Sequence, residues 1–591
     1  MNRHVSGNGL PQIVKRAALL VYVLLSGGQF APAQNPIIPG KIFVERPTIH
    51  CLGFRWYVTG DDNRNAAVSV VYREKRGGKW KSAQPLFRVK EEIVATGDLQ
   101  WTAPNLFAGS IFDLRPDTTH EVKLSLSDPD GGRAETNIVV KTRPVPMTKQ
   151  HGRILHARPS DLRTIYDAAQ PGDLLLLHSG IYKGTYSFAK KAAANKPIIF
   201  RAAGDGEVVF DGDNSKTLID CTQADYHFFE DLTLQNADRL IFAGNGTQGC
   251  SGLVVRRCRL RDTIYAIITL CRTSRDFYIA DNIFEGPLTI DWTDYSYKGK
   301  VGDEAHAIWW AGSGHVICYN RFVRWWDAIH GTNGRPPADR SLQNSAIDVY
   351  NNDISYCSED AIELDYGVHN LRAFRNKISN CLSGISVEPI YGGPAYIFRN
   401  VLFNMSRMGF HFAQYPAGVL LYHNTVLMGG SRSVDGRINN THLRNNLILG
   451  RDTTEGLIWA GSPLSDTSSW DYDAFRVAKG ARLWWQFSKP RRSSGGTMST
   501  EDSFQDFREW AEATGHEKHG LTVDYDIFVN AAMPTGQDTP PPAMDLRLKK
   551  NSVAVDAGEK LPNINDNFTG VAPDLGAYEL GEEIPHYGPR Q

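Results

Sequence analysis

The chain has 591 residues, enough for two to four domains, and its 64 Lys and Arg nearly balance its 65 Asp and Glu. No net field attracts nucleic acid or an anionic membrane, so neither is expected as a partner. The 54 glycines, 30 prolines and 41% hydrophobic residues indicate an all-β protein rich in turns, and eight cysteines are too few for a disulfide-based fold.

The first 33 residues have the pattern of a secretory signal peptide. Basic residues precede an apolar run from Ala17 to Leu25, and the small-residue pattern Ala31-Pro-Ala33 follows. The run is too short to span a bilayer, and no later segment has eighteen consecutive apolar residues. We therefore expect a secreted protein, extracellular or periplasmic, without a membrane span.

Residues 40–146 show the alternation of short strands in a small β-sandwich. The alternation surrounds Trp56, and a turn motif from Leu114 to Val122 precedes Asp128-Pro-Asp-Gly-Gly132. This segment resembles a fibronectin type III or immunoglobulin-like domain, with His120 where that family usually has tyrosine.

A different architecture begins at about residue 150. A short helix capped by Ser160 is predicted, followed by Pro171-Gly-Asp173, an apolar strand and the turn Gly180-Ile-Tyr182. This order resembles the entry segment of pectin-lyase-like proteins, whose fold is a right-handed parallel β-helix. The resemblance concerns the fold and not a particular reaction.

A repeat supports the same fold. An asparagine followed two residues later by an aliphatic or aromatic residue recurs, most often every 24 residues, and Cys258 takes this position one turn earlier. The repeated asparagines are Asn282, Asn320, Asn352, Asn376, Asn400, Asn424 and Asn446. This period predicts β-helix coils over 150–462, with the asparagines stacked in a ladder at one inner corner.

A second strand in each coil predicts a site. The inward residue of this strand is always Ile or Phe. Side chains alternate along a strand, so the residues one and three positions after it point outward. Stacking the coils gives one outward column of Trp309, His330, Glu363, Ser386 and His411, and a neighbouring column that contains Asp365 and Glu388. Three carboxylates on one face are unfavourable unless a proton, a cation or a substrate compensates them, so we expect catalytic or binding residues here.

Aromatic residues near these columns suggest a carbohydrate partner. Trp309, Tyr366, Tyr391 and Trp292 offer flat rings that suit the C–H faces of sugars. We therefore expect them to contact a polysaccharide or an oligosaccharide.

The segments around Asp365 and Glu388 carry a second resemblance. Ile362-Glu-Leu-Asp-Tyr366, followed by Ile385-Ser-Val-Glu-Pro-Ile-Tyr-Gly-Gly-Pro394, resembles the catalytic strands of glycoside hydrolase family 120. The resemblance implies that Asp365 is the nucleophile and Glu388 the acid/base. Glu363 departs from the apolar residue expected at its position.

The C-terminal part interrupts the repeat. Residues 463–540 contain tryptophans and a predicted helix, and we expect them to form an insertion that packs on the solenoid. Residues 541–591 are expected to return to the β-helix and cap it.

Three classes of function remain open at this point. The first is a retaining glycoside hydrolase that uses Asp365 and Glu388 and needs no cofactor. The second is a polysaccharide lyase or uronan epimerase, in which Glu363, Asp365 and Glu388 hold Ca²⁺ and His330 or His411 acts as the base. The third is a glycan-binding surface protein without catalysis.

Overall fold

The structure is a computed structural model that describes residues 34–146, 152–289, 291–293, 304–492, 496–538 and 542–590. The predicted signal peptide lies outside these residues. Neither of the two described α-helices, Leu162–Ala168 and Phe507–Thr514, is long enough to cross a membrane.

The N-terminal domain is a small antiparallel β-sandwich built of seven strands in the described part of the chain. The central strand Lys81–Val89 pairs at one end with Ala67–Glu74 and at the other with Leu106–Ile111, so it joins the two layers. In spatial order the strands are Ile38–Val44, Leu52–Thr59, Leu106–Ile111, Lys81–Val89, Ala67–Glu74, Thr119–Ser127 and Arg133–Lys141. Assignment to the fibronectin type III class stays a prediction.

The rest of the chain is a right-handed parallel β-helix of about 13 turns, which confirms the predicted fold class. Its strands stack in two long sheets, here called sheet I and sheet II. Sheet I contains Ile154–Ala157, Leu174–Leu177, Ile198–Ala202, His227–Glu230, Val254–Arg256, Tyr278–Ala280, Val316–Cys318, Ser345–Tyr350, His369–Phe374, Tyr391–Phe398, Ala417–Tyr422, Asn439–Arg444 and Ser469–Asp471.

Sheet II receives two strands from most coils and carries the predicted site. Its strands are Gly180–Lys183, Tyr186–Ser187, Val208–Asp220, Thr233–Phe242, Arg259–Leu260, Tyr265–Ile268, Ile283–Glu285, His306–Trp310, Arg321–Val323, Asp327–Gly331, Asp353–Ser355, Asp360–Glu363, Lys377–Val387, Val401–Phe412, Thr425–Met428, Val434–Arg437, Leu447–Leu449, Ile458–Gly461, Ala474–Arg476, Leu483–Arg492, Met498–Phe504 and Leu521–Thr522. Two short pairs, Ile93–Val94 with Trp101–Thr102 and Phe528–Asn530 with Asp545–Leu548, lie outside these sheets.

The asparagine ladder forms at one inner corner, as predicted. Asn376 Nδ2 donates to Asn400 Oδ1 at 3.0 Å, and Asn400 Nδ2 donates to Asn424 Oδ1 at 3.0 Å. Each amide nitrogen also donates to a backbone carbonyl of the preceding coil, so the side chains satisfy polar groups that the turn would leave buried. The residue before each ladder asparagine has a φ between 52° and 62°, which turns the chain at this corner.

The ladder does not end where the sequence analysis placed the end of the coils. Asp473 Oδ1 accepts from Asn446 Nδ2 at 2.7 Å, and Ser469–Asp471 pairs in parallel with Asn439–Arg444. The predicted boundary at residue 462 is therefore wrong, because the coils continue through part of the proposed 463–540 insertion. The next ladder position is occupied by Asp473, and a repeat defined by asparagine does not include it.

Three tryptophans of this region, Trp470, Trp485 and Trp510, are buried at that end of the solenoid, whereas Trp484 is partly exposed. Trp470 and Trp510 are almost fully buried, and the helix Phe507–Thr514 places Trp510 against Trp485. The helix is capped by Asp506, whose carboxylate accepts from the backbone N–H groups of Arg508 and Glu509.

The C-terminal segment runs back along the side of the solenoid and does not cap its end. Gly576 N donates to Asn445 O, Gly588 N donates to Asn351 O, and Arg590 pairs with Asp281, so later residues contact earlier coils. The contacted residues Asn445, Asn351 and Asp281 each precede a ladder position. The predicted cap over the end of the solenoid is therefore wrong, because these contacts lie along its side.

All eight cysteines are buried and free, and all lie in the described residues. Buried thiols of this kind contribute to packing as small apolar groups.

Candidate functional site

The predicted outward columns are present in sheet II. The strand register pairs Trp309 with His330, Glu363 with Ser386, and Ser386 with His411. The inward residues between them, including Ile329 and Ile362, are paired and fully buried. A buried apolar residue at the same position of successive coils therefore fixes which side chains face outward.

Asp365 and Glu388 meet on adjacent coils. Asp365 Oδ1 accepts from the backbone N–H of Glu388 at 2.7 Å, and the Ser386 hydroxyl donates to both Asp365 oxygens at 3.0 and 3.2 Å. Asp365 is 5% exposed, whereas the Glu388 side chain is 34% exposed. Asp365 is thus a fixed carboxyl at the floor of the site, and Glu388 is the carboxyl that reaches into solvent.

Burial raises the pKa of both carboxyls. The pKa of Asp365 rises to about 7 because the group is desolvated and because the Glu388 carboxylate lies beside it. The pKa of Glu388 is also raised by desolvation, against the opposing charge of His411. The pair therefore retains a proton at a pH where isolated carboxyls have lost theirs.

His411 flanks the pair as a cation. Its Nδ1 lies 3.2 Å from Asp360 Oδ2, and its Nε2 lies 3.9 Å from Glu388 Oε2. Burial opposes the charged form, but Asp360 and Glu388 together raise the pKa of His411 to about 10. At neutral pH this imidazole is protonated and is not available as a base.

His330 and Glu363 belong to a second group, which lies on the coil of Asp365 and on the coils before it. His330 Nδ1 contacts Glu363 Oε2 and lies 3.6 Å from Asp327 Oδ2, while His306 Nδ1 lies 3.1 Å from the same Asp327 oxygen. The His306 and His330 rings stack at 4.1 Å. Burial would raise the pKa of Asp327, but its bonds to the two histidines lower that pKa to about 2, whereas burial and nearby carboxylates hold the pKa of Glu363 well above its usual range.

Three residues of the site, His306, Asp327 and Asp360, were not predicted from the sequence. These residues form a third column three residues before the first one, since His306 pairs with Asp327 and Asp360 N donates to Asp327 Oδ1 at 3.0 Å. The signal was the repeated polar-Ala-Ile pattern that begins at each of these three positions. Strict alternation assigned these positions to the interior, because it takes no account of the corner at which each strand starts.

Two of the four predicted sugar-contacting aromatics are in the wrong place. Trp292 is buried and donates from Nε1 to Asp538 at 2.9 Å, and Tyr391 is fully buried beneath the N-terminal domain, with its hydroxyl 3.3 Å from Leu99 O. Neither side chain is open to a ligand. Trp309 and Tyr366 are partly exposed, and Trp309 packs edge-on against His330.

An aromatic platform that was not predicted lies beside the pair, towards the C-terminus. The column continues from His411 to Asp435, Trp459 and Trp484 in successive strands. The two tryptophan rings stack at 5.2 Å, Trp459 is 43% exposed, and the Arg432 guanidinium lies 4.2 Å from its ring centre. A cavity of about 520 Å³ opens here, lined by both tryptophans together with Gln414, Tyr415 and Arg437.

The N-terminal domain forms part of the wall of this face. Its pair Ile93–Val94 and Trp101–Thr102 packs on Tyr391, and Ala95 N donates to Gln414 O at 2.6 Å. The domain therefore supports the coil that presents Glu388 and one side of the cavity.

These features define a parallel β-helix protein with a carboxyl and imidazole site on an outer face of its coils.

No model of a protein family and no curated protein matches the chain. Among solved structures, the alginate lyase from Paenibacillus sp. str. FPU-7 is 15% identical and has a TM-score of 0.29, with 48% of this chain and 97% of that chain covered. The family 28 exopolygalacturonase of Yersinia enterocolitica is 11% identical and has a TM-score of 0.28, with 76% and 97% covered. The fold follows from the strand order, and at these scores neither likeness carries an argument about function.

Proposed function

We propose that the protein is a glycoside hydrolase in which Asp365 attacks the sugar and Glu388 donates, then accepts, the proton. The observation that carries this proposal is the meeting of two carboxyls on adjacent coils at an open face, both with raised pKa values. A retaining glycosidase needs such a pair, with one carboxyl ionised and the other protonated.

The different exposure of the two carboxyls supports these roles. Asp365 is held by Ser386 and by the Glu388 N–H, so its oxygens have a fixed direction for attack. Glu388 is the more exposed group and is the one that a glycosidic oxygen in the groove would meet. The neighbouring tryptophan platform offers apolar ring faces for further sugar units.

The charge of His411 favours hydrolysis over elimination. A lyase or epimerase that used His411 as its base would require a neutral imidazole, and Asp360 keeps this ring protonated. The Asp365 oxygens already accept bonds from Ser386 and Glu388, which leaves them less able to bind Ca²⁺.

The test of the reaction class is a panel of neutral and acidic polysaccharides digested in H₂¹⁸O. A hydrolase produces reducing ends that carry one ¹⁸O and gives no new ultraviolet absorbance. Absorbance from a new double bond without ¹⁸O would instead identify a lyase. Binding to a glycan without either product would leave only the glycan-binding function.

Variants test the roles of the two residues. Asp365→Asn and Glu388→Gln should each lower turnover by about 10²- to 10⁴-fold, the range for loss of a positioned acid or base. Asp262→Asn, an exposed substitution on the same solenoid, is the matched control and should retain activity. With azide and a substrate that has a good leaving group, Glu388→Gln should form the glycosyl azide of retained configuration. If Asp365→Asn forms that retained azide instead, the two roles are exchanged.

A further inference from the structure

We propose that His306, Asp327, His330 and Glu363 bind a divalent transition-metal ion. This group lies on the strands His306–Trp310, Asp327–Gly331 and Asp360–Glu363, immediately before the coil that carries Glu388. It is a site separate from the Asp365 and Glu388 pair, and its existence does not depend on the proposed hydrolase reaction.

Ligand atoms of three of the four residues lie close together. One nitrogen or oxygen atom from each of His306, Asp327 and His330 lies within 4.8 Å of the others. Glu363 Oε2 contacts His330 Nδ1, which adds a fourth group. The buried His330 Nδ1 and Glu363 Oε2 atoms touch, yet neither has a hydrogen bond of normal geometry in the described part of the chain. Buried imidazole nitrogens and carboxylate oxygens gathered this closely are the ligand types that transition-metal ions take in proteins.

Neighbouring groups orient the proposed ligands. Asp327 Oδ1 accepts the backbone N–H of Asp360 at 3.0 Å, which leaves Oδ2 directed at the two histidines. His306 Nε2 lies 3.7 Å from Glu304 Oε2, so a carboxylate stands behind the imidazole whose Nδ1 faces the site. A carboxylate behind a ligating histidine is a recurring outer-sphere partner in metalloproteins.

The charge of the site also favours a cation. Glu363 is buried and has four acidic neighbours, namely Asp327, Asp365, Asp360 and Glu359. A divalent ion would compensate several of these charges at once. Two imidazole nitrogens suit Zn²⁺, Mn²⁺, Fe²⁺ or Co²⁺, whereas Ca²⁺ prefers an all-oxygen shell of six to eight ligands.

Metal binding itself is the test, measured on the full chain without a polyhistidine tag. After removal of metals with a chelator, equilibrium dialysis against Zn²⁺ or Mn²⁺ should give about one ion per chain, and Ca²⁺ should not compete at equal concentration. Co²⁺ should produce visible d–d absorption bands typical of mixed nitrogen and oxygen ligands. A chain that binds no transition-metal ion under these conditions overturns the proposal.

Variants locate the ion. His330→Ala should weaken binding more than the 10- to 100-fold that loss of an outer-sphere partner costs, and should abolish the Co²⁺ bands. Glu363→Gln keeps the shape of the side chain and covers the case in which His330→Ala fails to fold, as judged by circular dichroism. His178→Ala is the matched control, because His178 stacks on His156 and pairs with Asp205 at a partly exposed position elsewhere on the solenoid. Loss of binding in the control, or normal binding in Glu363→Gln and His330→Ala, would contradict the proposed site.

Discussion

The pKa of Asp365 depends on the coil that follows it in the chain. An aspartate at a strand end on the surface would be ionised over the whole physiological range. Here the following coil covers it, places the Glu388 carboxyl beside it and supplies the Ser386 hydroxyl. The stacking of coils therefore creates a perturbed carboxyl from residues that are ordinary when considered one at a time.

The pH dependence of activity follows from this environment. If Asp365 is the nucleophile, it must be ionised, and its raised pKa places that step at about 7. We expect kcat/KM to rise with pH through about 7 as Asp365 becomes ionised.

The acid limb belongs to Asp365, so Glu388→Gln should retain it on substrates with good leaving groups. The limb should move to lower pH, because the Glu388 charge that raises the pKa of Asp365 is removed. Rates measured from pH 4 to 10 check both points. An acid limb centred near 4 would show that Asp365 titrates as an ordinary carboxyl in the free enzyme.

At the scale of elements, the ladder ends on an acid instead of an amide. Asp473 is buried, accepts from both nitrogens of Asn446, and lies beside Glu517, whose carboxylate accepts from Asp473 N at 3.2 Å. Burial raises the pKa of Asp473 to about 7, so its ionised form is disfavoured in the folded chain.

Asp473→Asn should therefore stabilise the protein in a pH-dependent way. A carboxyl whose folded pKa is raised contributes fully below its unfolded pKa near 3.9, and that contribution is lost as pH rises through about 7. We expect the variant and the natural chain to have similar urea midpoints at pH 4, and the variant to be more stable at pH 8 by a few kcal/mol, on the order of 1.4 per unit of pKa shift. A lower midpoint for the variant at pH 8 would mean that the carboxylate is favourable in the ladder.

The tryptophan platform gives a second prediction at this scale. Trp459 and Trp484 come from adjacent strands of the outward column. Asp435 lies between them and His411, so the platform is separated from the carboxyl pair. Trp459→Ala and Trp484→Ala should raise KM for long substrates by roughly 5- to 30-fold, equivalent to about 1–2 kcal/mol of ring contact, with little change in kcat. A short substrate that does not reach the platform is the internal control, and an equal loss on both substrates would exclude this role.

These elements also show what the sequence could and could not predict. The fold, the ladder and the outward column were predictable because a 24-residue period and an inward Ile fix the register of every coil. Asp327 and Asp360 were not predicted, since their positions depend on how the chain turns at a corner. Tyr391 was misplaced for another reason: the N-terminal domain buries it, and a repeat carries no information about what packs on its outer face.

At the scale of the whole molecule, a buried polar junction joins the sandwich to the solenoid. Arg372, in sheet I, pairs with Asp348 on the preceding coil and donates to the Ser110 hydroxyl of the sandwich at 3.0 Å. Both charged side chains are fully buried. Phe112 of the sandwich packs edge-on against Tyr396 and Phe398 beside them. The charges and the apolar contacts together make the junction part of the protein interior.

Arg372→Ala should consequently affect both units. Removal of the guanidinium leaves the Asp348 carboxylate buried without its partner, a loss of about 3–5 kcal/mol. Thermal unfolding followed by circular dichroism should show a clearly lower midpoint, and Asp348→Asn in the same chain should restore part of it. Arg321→Ala, at an exposed position of sheet II, is the control for loss of an arginine. Equal midpoints for the two arginine variants would mean that the junction contributes little.

The reactivity of the eight buried thiols can be used to measure local opening of the structure. One lies in the sandwich at Cys51, and the others are distributed along the solenoid from Cys221 to Cys381. Burial raises the pKa of several of them, including Cys51, Cys221 and Cys357, so a thiol reagent reacts only when the surrounding coil opens. Because each thiol belongs to a known turn, the order in which they become labelled traces where the coil stack frays first, how far an opening spreads along the axis, and whether a bound glycan slows it.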